Sequence, residues 1–200
     1  MRLHTTRRRI AVAILVFAGA CRPAAPASGE AVQDSTAAPP TPLVLSLEEG
    51  ERRVRRRLPG SDGLTSPFIL KVDRRNGGSR DLVMGYEDIP PGQVIPPHRH
   101  LLADEIIFVH RGSGVAELGD RQAAFGPGAT IYIPKNVRIS LRNTGTEPIS
   151  IAFFFSKPGF EELLRENSVA EGEPMTPLTE AERAANRERH KWHTVYEPRP

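Results

Sequence analysis

Between Leu64 and Phe155 the chain is cut into short apolar segments, each too brief for an ordinary helix and each bounded by turn-forming residues. They run Phe68 to Val72, Asp81 to Tyr86, Gln93 to His98, Glu105 to His110, Gly114 to Leu118, Arg121 to Phe125, Thr130 to Ile133, Arg138 to Arg142 and Ser150 to Phe155. Gly119-Asp120, Gly126-Pro127-Gly128 and Asn143-Thr144-Gly145 supply three of the reversals. Regularly spaced short strands of this kind fold as an antiparallel sandwich or barrel, so the fold class is all-β. Helices are expected on either side. Ser46-x-x-Glu49 has capping-box form, and Leu47, Val54 and Leu58 follow at helical spacing, which predicts a short N-terminal helix with its arginines outward. After Phe155, Pro158-Gly159-Phe160 opens a helix carrying Leu163 and Leu164, and Thr179-x-x-Glu182 starts another that reaches about His190. Both are expected to pack across the outside of the barrel. His190 and His193, beside Trp192, fall in a polar tail and read as exposed.

The chain has 200 residues, 38% of them hydrophobic and 26% charged, which suits one domain with flexible ends. Its net charge of +3 is concentrated in Arg7 to Arg9 and in Arg52, Arg53, Arg55, Arg56 and Arg57. No aromatic residue interleaves with that second run, so it does not make a nucleic-acid face. A solvated helix face is the plainer reading, with contact to anionic lipid or a partner beside it.

Residues 1–21 read as an address. Arg7-Arg8-Arg9 precedes the apolar run Ile10 to Ala20, about half the ~20 residues needed to span a bilayer, which is the form of a signal peptide. Phe17-Ala18-Gly19-Ala20-Cys21 resembles the lipobox of bacterial lipoproteins, with Ala18 where Leu is usual. Cys21 is the only cysteine, so the mature domain forms no internal disulfide and the thiol is free for lipidation. Thr6-Arg7-Arg8-Arg9-Ile10 also fits a loose twin-arginine signal, and export by that route or by the general one stays open. Residues 22–45 form a Pro- and Ala-rich tether that cannot bury a core, and its residues 22–42 alone would reach up to ~65 Å if extended. The barrel with its N-terminal helix then takes residues 46–165, and the C-terminal helix and tail take 166–200. The expected location is the periplasmic or outer face of the envelope, with a lipid anchor at Cys21 holding the domain to the membrane.

The chemistry rests on strand geometry. His98 and His100 are two apart, so they share a strand face with Cα atoms ~7 Å apart and both imidazoles converge on one point. Glu105 opens the next strand after Leu101 to Asp104, and a hairpin returning directly brings its carboxylate beside them. Two imidazoles and a carboxylate form a facial triad suited to Fe(II) and similar divalent ions. Several other side chains compete. Asp104 is a rival carboxylate, His110 lies on the face opposite Glu105, and Tyr86 and Tyr132 could offer a phenol or serve as core. Phe153-Phe154-Phe155 is core or an oligomer interface.

Gly92-x5-His98-x-His100-x4-Glu105-x6-Gly112 resembles, at every spacing, the first motif of the cupin superfamily. Gly128-x5-Pro134 and Asn143 fit the frame of the second, and Pro158-Gly159-Phe160-Glu161-Glu162 is similar to the segment that often follows the barrel in small bacterial cupins. The resemblance covers about residues 64–165. It implies a jelly-roll (double-stranded β-helix) barrel with metal and substrate inside, and His98, His100 and Glu105 as three of the usual four protein ligands. It also implies a histidine where Ile139 stands, reached both forward from Pro134 and backward from Asn143. The alternation of Arg138 to Arg142 turns Ile139 inward, so the fourth-ligand position is degenerate. Either three ligands retain a divalent metal (Fe, Mn, Zn or Ni) or the site is lost.

Three functions remain open on this reading. One is an exported metalloenzyme of dioxygenase type acting on a small molecule, since no general acid or base is evident among the inward positions. Another is a non-catalytic binder of a small molecule or ion, and the third is an assembly role for an empty barrel. Pairing into a homodimer through edge strands is expected by the same resemblance.

Overall fold

The computed structural model describes residues 39–59 and 66–197. The expected signal segment 1–21 with Cys21, and residues 22–38 of the tether, lie outside the described residues.

Among the described residues, twelve strands form in chain order: β1 (Glu51–Arg55), β2 (Phe68–Val72), β3 (Val83–Ile89), β4 (Val94–His100), β5 (Glu105–Arg111), β6 (Gly114–Leu118), β7 (Arg121–Phe125), β8 (Thr130–Ile133), β9 (Ile139–Asn143), β10 (Ile149–Phe155), β11 (Ser168–Ala170) and β12 (Thr194–Tyr196). They build two antiparallel sheets, one ordered β11-β1-β2-β3-β10-β5-β8 and the other β12-β4-β9-β6-β7. Side chains alternate across each strand, and the inward sets meet between the sheets. On β5, Glu105, Ile107 and Val109 are buried while Ile106 and Phe108 face out. Phe68, Leu70, Val83, Ile133, Ile139, Leu141, Ile151 and Phe155 complete one continuous core. The fold is an antiparallel jelly-roll barrel: the strand spacing predicts a sandwich or barrel, and the jelly roll is what the cupin resemblance implies.

Two short helices follow the barrel, α1 (Phe160–Glu166) and α2 (Glu180–His190). The capping box that marks α2 forms as written: Glu182 N–H donates to Thr179 Oγ1 at 3.1 Å, and Thr179 N–H donates to Glu182 Oε2 at 2.9 Å. Among the described residues, no helix is long and apolar enough to cross a membrane.

The N-terminal helix expected from Ser46 does not form. Glu49 does accept from the Ser46 N–H at 2.6 Å, but the turn ends at Gly50, whose φ of +130° leaves the helical region. A Cβ there would meet the Leu70 carbonyl oxygen at 2.7 Å, so the backbone passes β2 too closely for any other residue. The chain then becomes β1, paired to β2 on one side and β11 on the other. Tertiary pairing overrides a weak local helix signal.

Phe153 and Phe155 are core, whereas Phe154 is exposed and lies beside Ile106, which in turn lies beside Tyr132 on β8. Tyr132, 58% exposed, is therefore neither core nor a site residue.

Candidate metal centre

The site begins with β4, whose alternation buries His98 and His100 and turns Arg99 out to pair with Glu197. Gly92 (φ +74°) and Gly112 (φ +82°) make the turns that set the ends of β4 and β5. The two strands do not form the expected hairpin. They lie in different sheets, so residues 101–104 cross from one to the other and Glu105 faces the histidines across the barrel interior. The convergence is achieved all the same. Ligand atoms from His98, His100 and Glu105 lie within 4.8 Å of one another, and His100 Nε2 stands 3.5 Å from Glu105 Oε2.

Burial governs the electrostatics. Desolvation and the neighbouring His100 push the His98 imidazole down to about 4, and desolvation takes His100 to about 4 as well. Desolvation raises the Glu105 carboxyl to about 7, against the opposing pull of His98. Both rings are thus neutral near pH 7, the state a metal ligand needs. His98 Nδ1 lies 2.8 Å from the Pro96 carbonyl oxygen, which can only accept, so Nδ1 carries the proton and Nε2 keeps its lone pair. Phe160 stacks on the His98 ring at 6.0 Å, and Phe155 and Phe160 each meet the His100 ring edge-on at 4.7 Å. These contacts hold both imidazoles in place.

His100 Nε2 and Glu105 Oε2 are fully buried and lack any hydrogen-bond partner. Once Glu105 is ionised, two acceptors face each other, which is costly in a bare protein and is satisfied by a cation between them. The N, N, O donor set, the closeness and the orphaned atoms all fit a divalent metal.

The other side of His100 leads outward. Its Nδ1 lies 3.1 Å from Thr194 Oγ1, which is 2.7 Å from His193 Nδ1. His193 Nε2 is 3.2 Å from His190 Nδ1, and His190 Nε2 is 3.0 Å from Glu166 Oε1. One proton assignment serves the three hydrogen bonds from His100 to His190, with His100 Nδ1, the Thr194 hydroxyl and His193 Nε2 each donating outward, while His190 Nε2 has no hydrogen-bond partner despite its nearness to Glu166. His190 and His193, expected in an exposed tail, are buried at 8% and 5% exposure because β12 pairs with β4 and carries the tail onto the barrel.

A cavity of about 360 Å³ opens beside the triad, lined on its apolar side by Ile95, Ile107, Ile139, Leu141, Phe153 and Phe155. Ile139 pairs with His98 in register and faces the cavity at 1% exposure, as its alternation requires. The helices lie over the mouth of this cavity and not simply along the barrel's outside, for Phe160, Leu164, Arg183 and Arg187 are among its walls. The arginine run, expected as a solvated helix face, instead brings Arg55, Arg56 and Arg57 to the same mouth. Asp104 points away and accepts from the Lys135 N–H at 2.8 Å, and His110 is exposed on the outer face. Tyr86, half-buried on β3, is not a wall of the cavity.

Sequence reasoning missed Thr194, Tyr196 and the cavity arginines. Tyr196 lies opposite His98 across the β12–β4 pair, with ring centroids 5.6 Å apart. The signal was present in Thr194-Val195-Tyr196, a β-branched and aromatic triplet whose two-residue spacing matches His98 and His100.

Residues 85–155 match the family model described as the cupin domain. Protein SchB of Streptomyces halstedii is 32% identical over 76 residues, covering 38% of this chain and 55% of the relative. Auxin-binding protein 1 of Arabidopsis thaliana is 30% identical over 91 residues, covering 40% of this chain and 45% of the relative. The chain thus spans about half the length of these curated relatives. Among solved structures, a sugar phosphate isomerase from a cupin superfamily of Silicibacter pomeroyi superposes with a TM-score of 0.49 at 20% identity, covering 58% of this chain and 77% of that one. KdgF from Halomonas sp. gives 0.42 at 19% identity, with 48% and 83% covered. The domain match spans β3 to β10 and includes all three candidate ligands.

Proposed function

We propose that this chain is an exported metalloenzyme whose barrel holds a divalent metal through His98, His100 and Glu105 and oxidises a small organic molecule in the manner of a dioxygenase. The observation that carries the reading is the pair of buried, unpartnered acceptors, His100 Nε2 and Glu105 Oε2, at 3.5 Å. When bound, the metal supplies Lewis acidity and the open coordination positions that O2 chemistry needs. The chain's own residues do the rest. Pro96 and Thr194 fix the histidine tautomers, the Phe155 and Phe160 rings exclude water from the histidines, and Ile139 keeps one wall beside His98 apolar.

Ile139 also favours a second reading, a non-catalytic cupin that binds a small molecule or ion at a degenerate metal site. One experiment separates them. Full-length protein isolated from the envelope is analysed for metal, beside His98→Ala and Glu105→Gln, and O2 uptake is followed with a panel of small organic substrates. The enzyme reading expects close to one equivalent of metal per chain, lost in His98→Ala, with turnover lost in a folded Glu105→Gln. Metal below about a tenth of an equivalent, unchanged by His98→Ala, overturns it.

We infer from the basic segment, apolar run and Cys21 that the chain is exported and lipid-anchored at the envelope. Cys21→Ser should move it from the membrane fraction to the soluble one, and unchanged partitioning overturns the anchor. The exposed row Phe154, Ile106 and Tyr132 supports pairing of two barrels as a homodimer, to be checked by light scattering.

A further inference from the structure

The cavity beside the triad has two unlike ends. Its inner walls are aliphatic and aromatic, while its mouth gathers Arg55, Arg56, Arg57, Arg183 and Arg187. Most of the charges there with assigned partners are already matched. Arg55 donates to Glu87 at 2.5 Å, Arg56 to Glu182 at 3.0 Å and Arg183 to Glu180 at 3.0 Å, while Glu197 is held by Arg99 and Arg138.

Arg187 is different. Its guanidinium sits over the Tyr196 ring at 4.4 Å, half-buried, and no carboxylate among the described residues pairs with it. Next to it, Arg55 uses one Nη on Glu87 and leaves the other, Nη1, fully buried without a hydrogen-bond partner. Both arginines, Glu87 and Tyr196 are among the residues that line the cavity. A guanidinium stacked on a ring keeps its in-plane donors free for a planar, bidentate acceptor. The volume of about 360 Å³ is near the lower limit for small-molecule pockets, which excludes a peptide or a sugar chain. The arginines and Tyr196 lie on β1, α2 and β12, all outside the 85–155 domain match.

We propose that the cavity takes a small organic carboxylate, its apolar body against Ile95, Ile139, Leu141 and Phe155 and its carboxylate held at the mouth by Arg187 with Arg55. This rests on the small-molecule reading above, but the anion site is built from different residues and stands without the metal.

The test uses full-length protein kept in chelator, so that no metal can hold the acid. Binding of matched acid and primary-amide pairs (hexanoate and hexanamide, benzoate and benzamide, phenylacetate and phenylacetamide) is measured by calorimetry at pH 7.5. At least one acid is expected to bind about tenfold or more tightly than its amide, a preference that weakens with added salt. Arg187→Gln should reduce the preference to near unity and Arg187→Lys should restore part of it, with metal uptake unchanged in both. Equal binding of acid and amide in every pair, or a preference that survives Arg187→Gln, overturns the proposal. Metal uptake is read on chelator-free aliquots, so a wild-type protein that takes up metal but shows no acid preference refutes the substrate class alone.

Discussion

The Nδ1 of His100 and the hydroxyl of Thr194 stand 3.1 Å apart, joining the candidate metal centre to a strand that lies outside the matched cupin domain. When the Thr194 proton goes to His193, the hydroxyl can only accept from His100, and Nδ1 of that candidate ligand must then carry its proton. Partners of this kind typically govern metal affinity by about 10–100-fold. Thr194→Val, which keeps the shape and removes the hydroxyl, should weaken metal binding within that range, and Thr194→Ser should recover most of it. Competition titration against a chromophoric chelator reads the change. Equal affinity for wild type and Thr194→Val would show that the hydroxyl only fills space.

The metal-free protein should lose stability in mild acid. His98, His100 and His193 have imidazoles pushed down to about 4 from an ordinary 6.5, so between those values the unfolded chain binds protons that the folded one refuses, and stability rises with pH. Glu105 acts oppositely. Its carboxyl, raised to about 7 from 4.5, holds a proton that the unfolded chain has released, so its contribution falls as pH rises through that window. Three histidines outweigh one carboxylate, and the urea midpoint should climb from pH 5 to pH 6.5. Glu105→Gln removes the opposing group and should steepen the climb. A flat or falling profile would contradict the buried, neutral state of the rings.

How far these features could be read from residues alone depended on whether the cause was local. Alternation placed Ile139 inward and His98 beside His100, because a strand's two-residue period is set by its own backbone. Thr179-x-x-Glu182 announced a helix whose cap needs nothing from elsewhere in the chain. Ser46-x-x-Glu49 announced one that never forms, because Gly50 and the edges of β2 and β11 decide that segment from a distance. Glu105 reaches the histidines from another sheet, a route that spacing does not reveal even where the meeting point is right. The burial of His193 and the gathering of arginines at the cavity mouth arise from the β12 pairing and the β1 pairing, which join residues far apart in sequence.

Ile139 lies opposite His98 in the β4–β9 pair and faces the same interior, so a donor placed there should reach the metal. Ile139→His should raise metal affinity by roughly tenfold or more, since a third imidazole joins a site with an open position. It should also slow any turnover, because the added ring occupies a place that substrate or O2 would use. Equilibrium metal titration with a parallel O2-uptake assay distinguishes the two effects. Unchanged affinity would mean that the open side of the site points away from β9.

The barrel's C-terminal cover is pinned by charge. Asp73, with 0% exposure, receives Arg165 from α1, and the same guanidinium donates to Glu51 at 2.6 Å and Glu162 at 3.0 Å. Asp73 also accepts from the Arg75 and Asn76 N–H groups at 2.8 Å, which shape the turn after β2. Removing the arginine leaves a buried carboxylate without its counter-charge, a change that costs about 3–5 kcal/mol. Arg165→Met should therefore lower the unfolding free energy by that order in urea titration. Asp73→Asn keeps an oxygen for the two turn N–H groups while removing the charge, so the double variant Arg165→Met with Asp73→Asn should be more stable than Arg165→Met alone. If it is less stable, or if Arg165→Met costs nothing, the pair does not anchor α1. Because α1 carries Phe160, which packs on both His98 and His100, the single variant should also weaken metal binding, and the double variant should restore part of it.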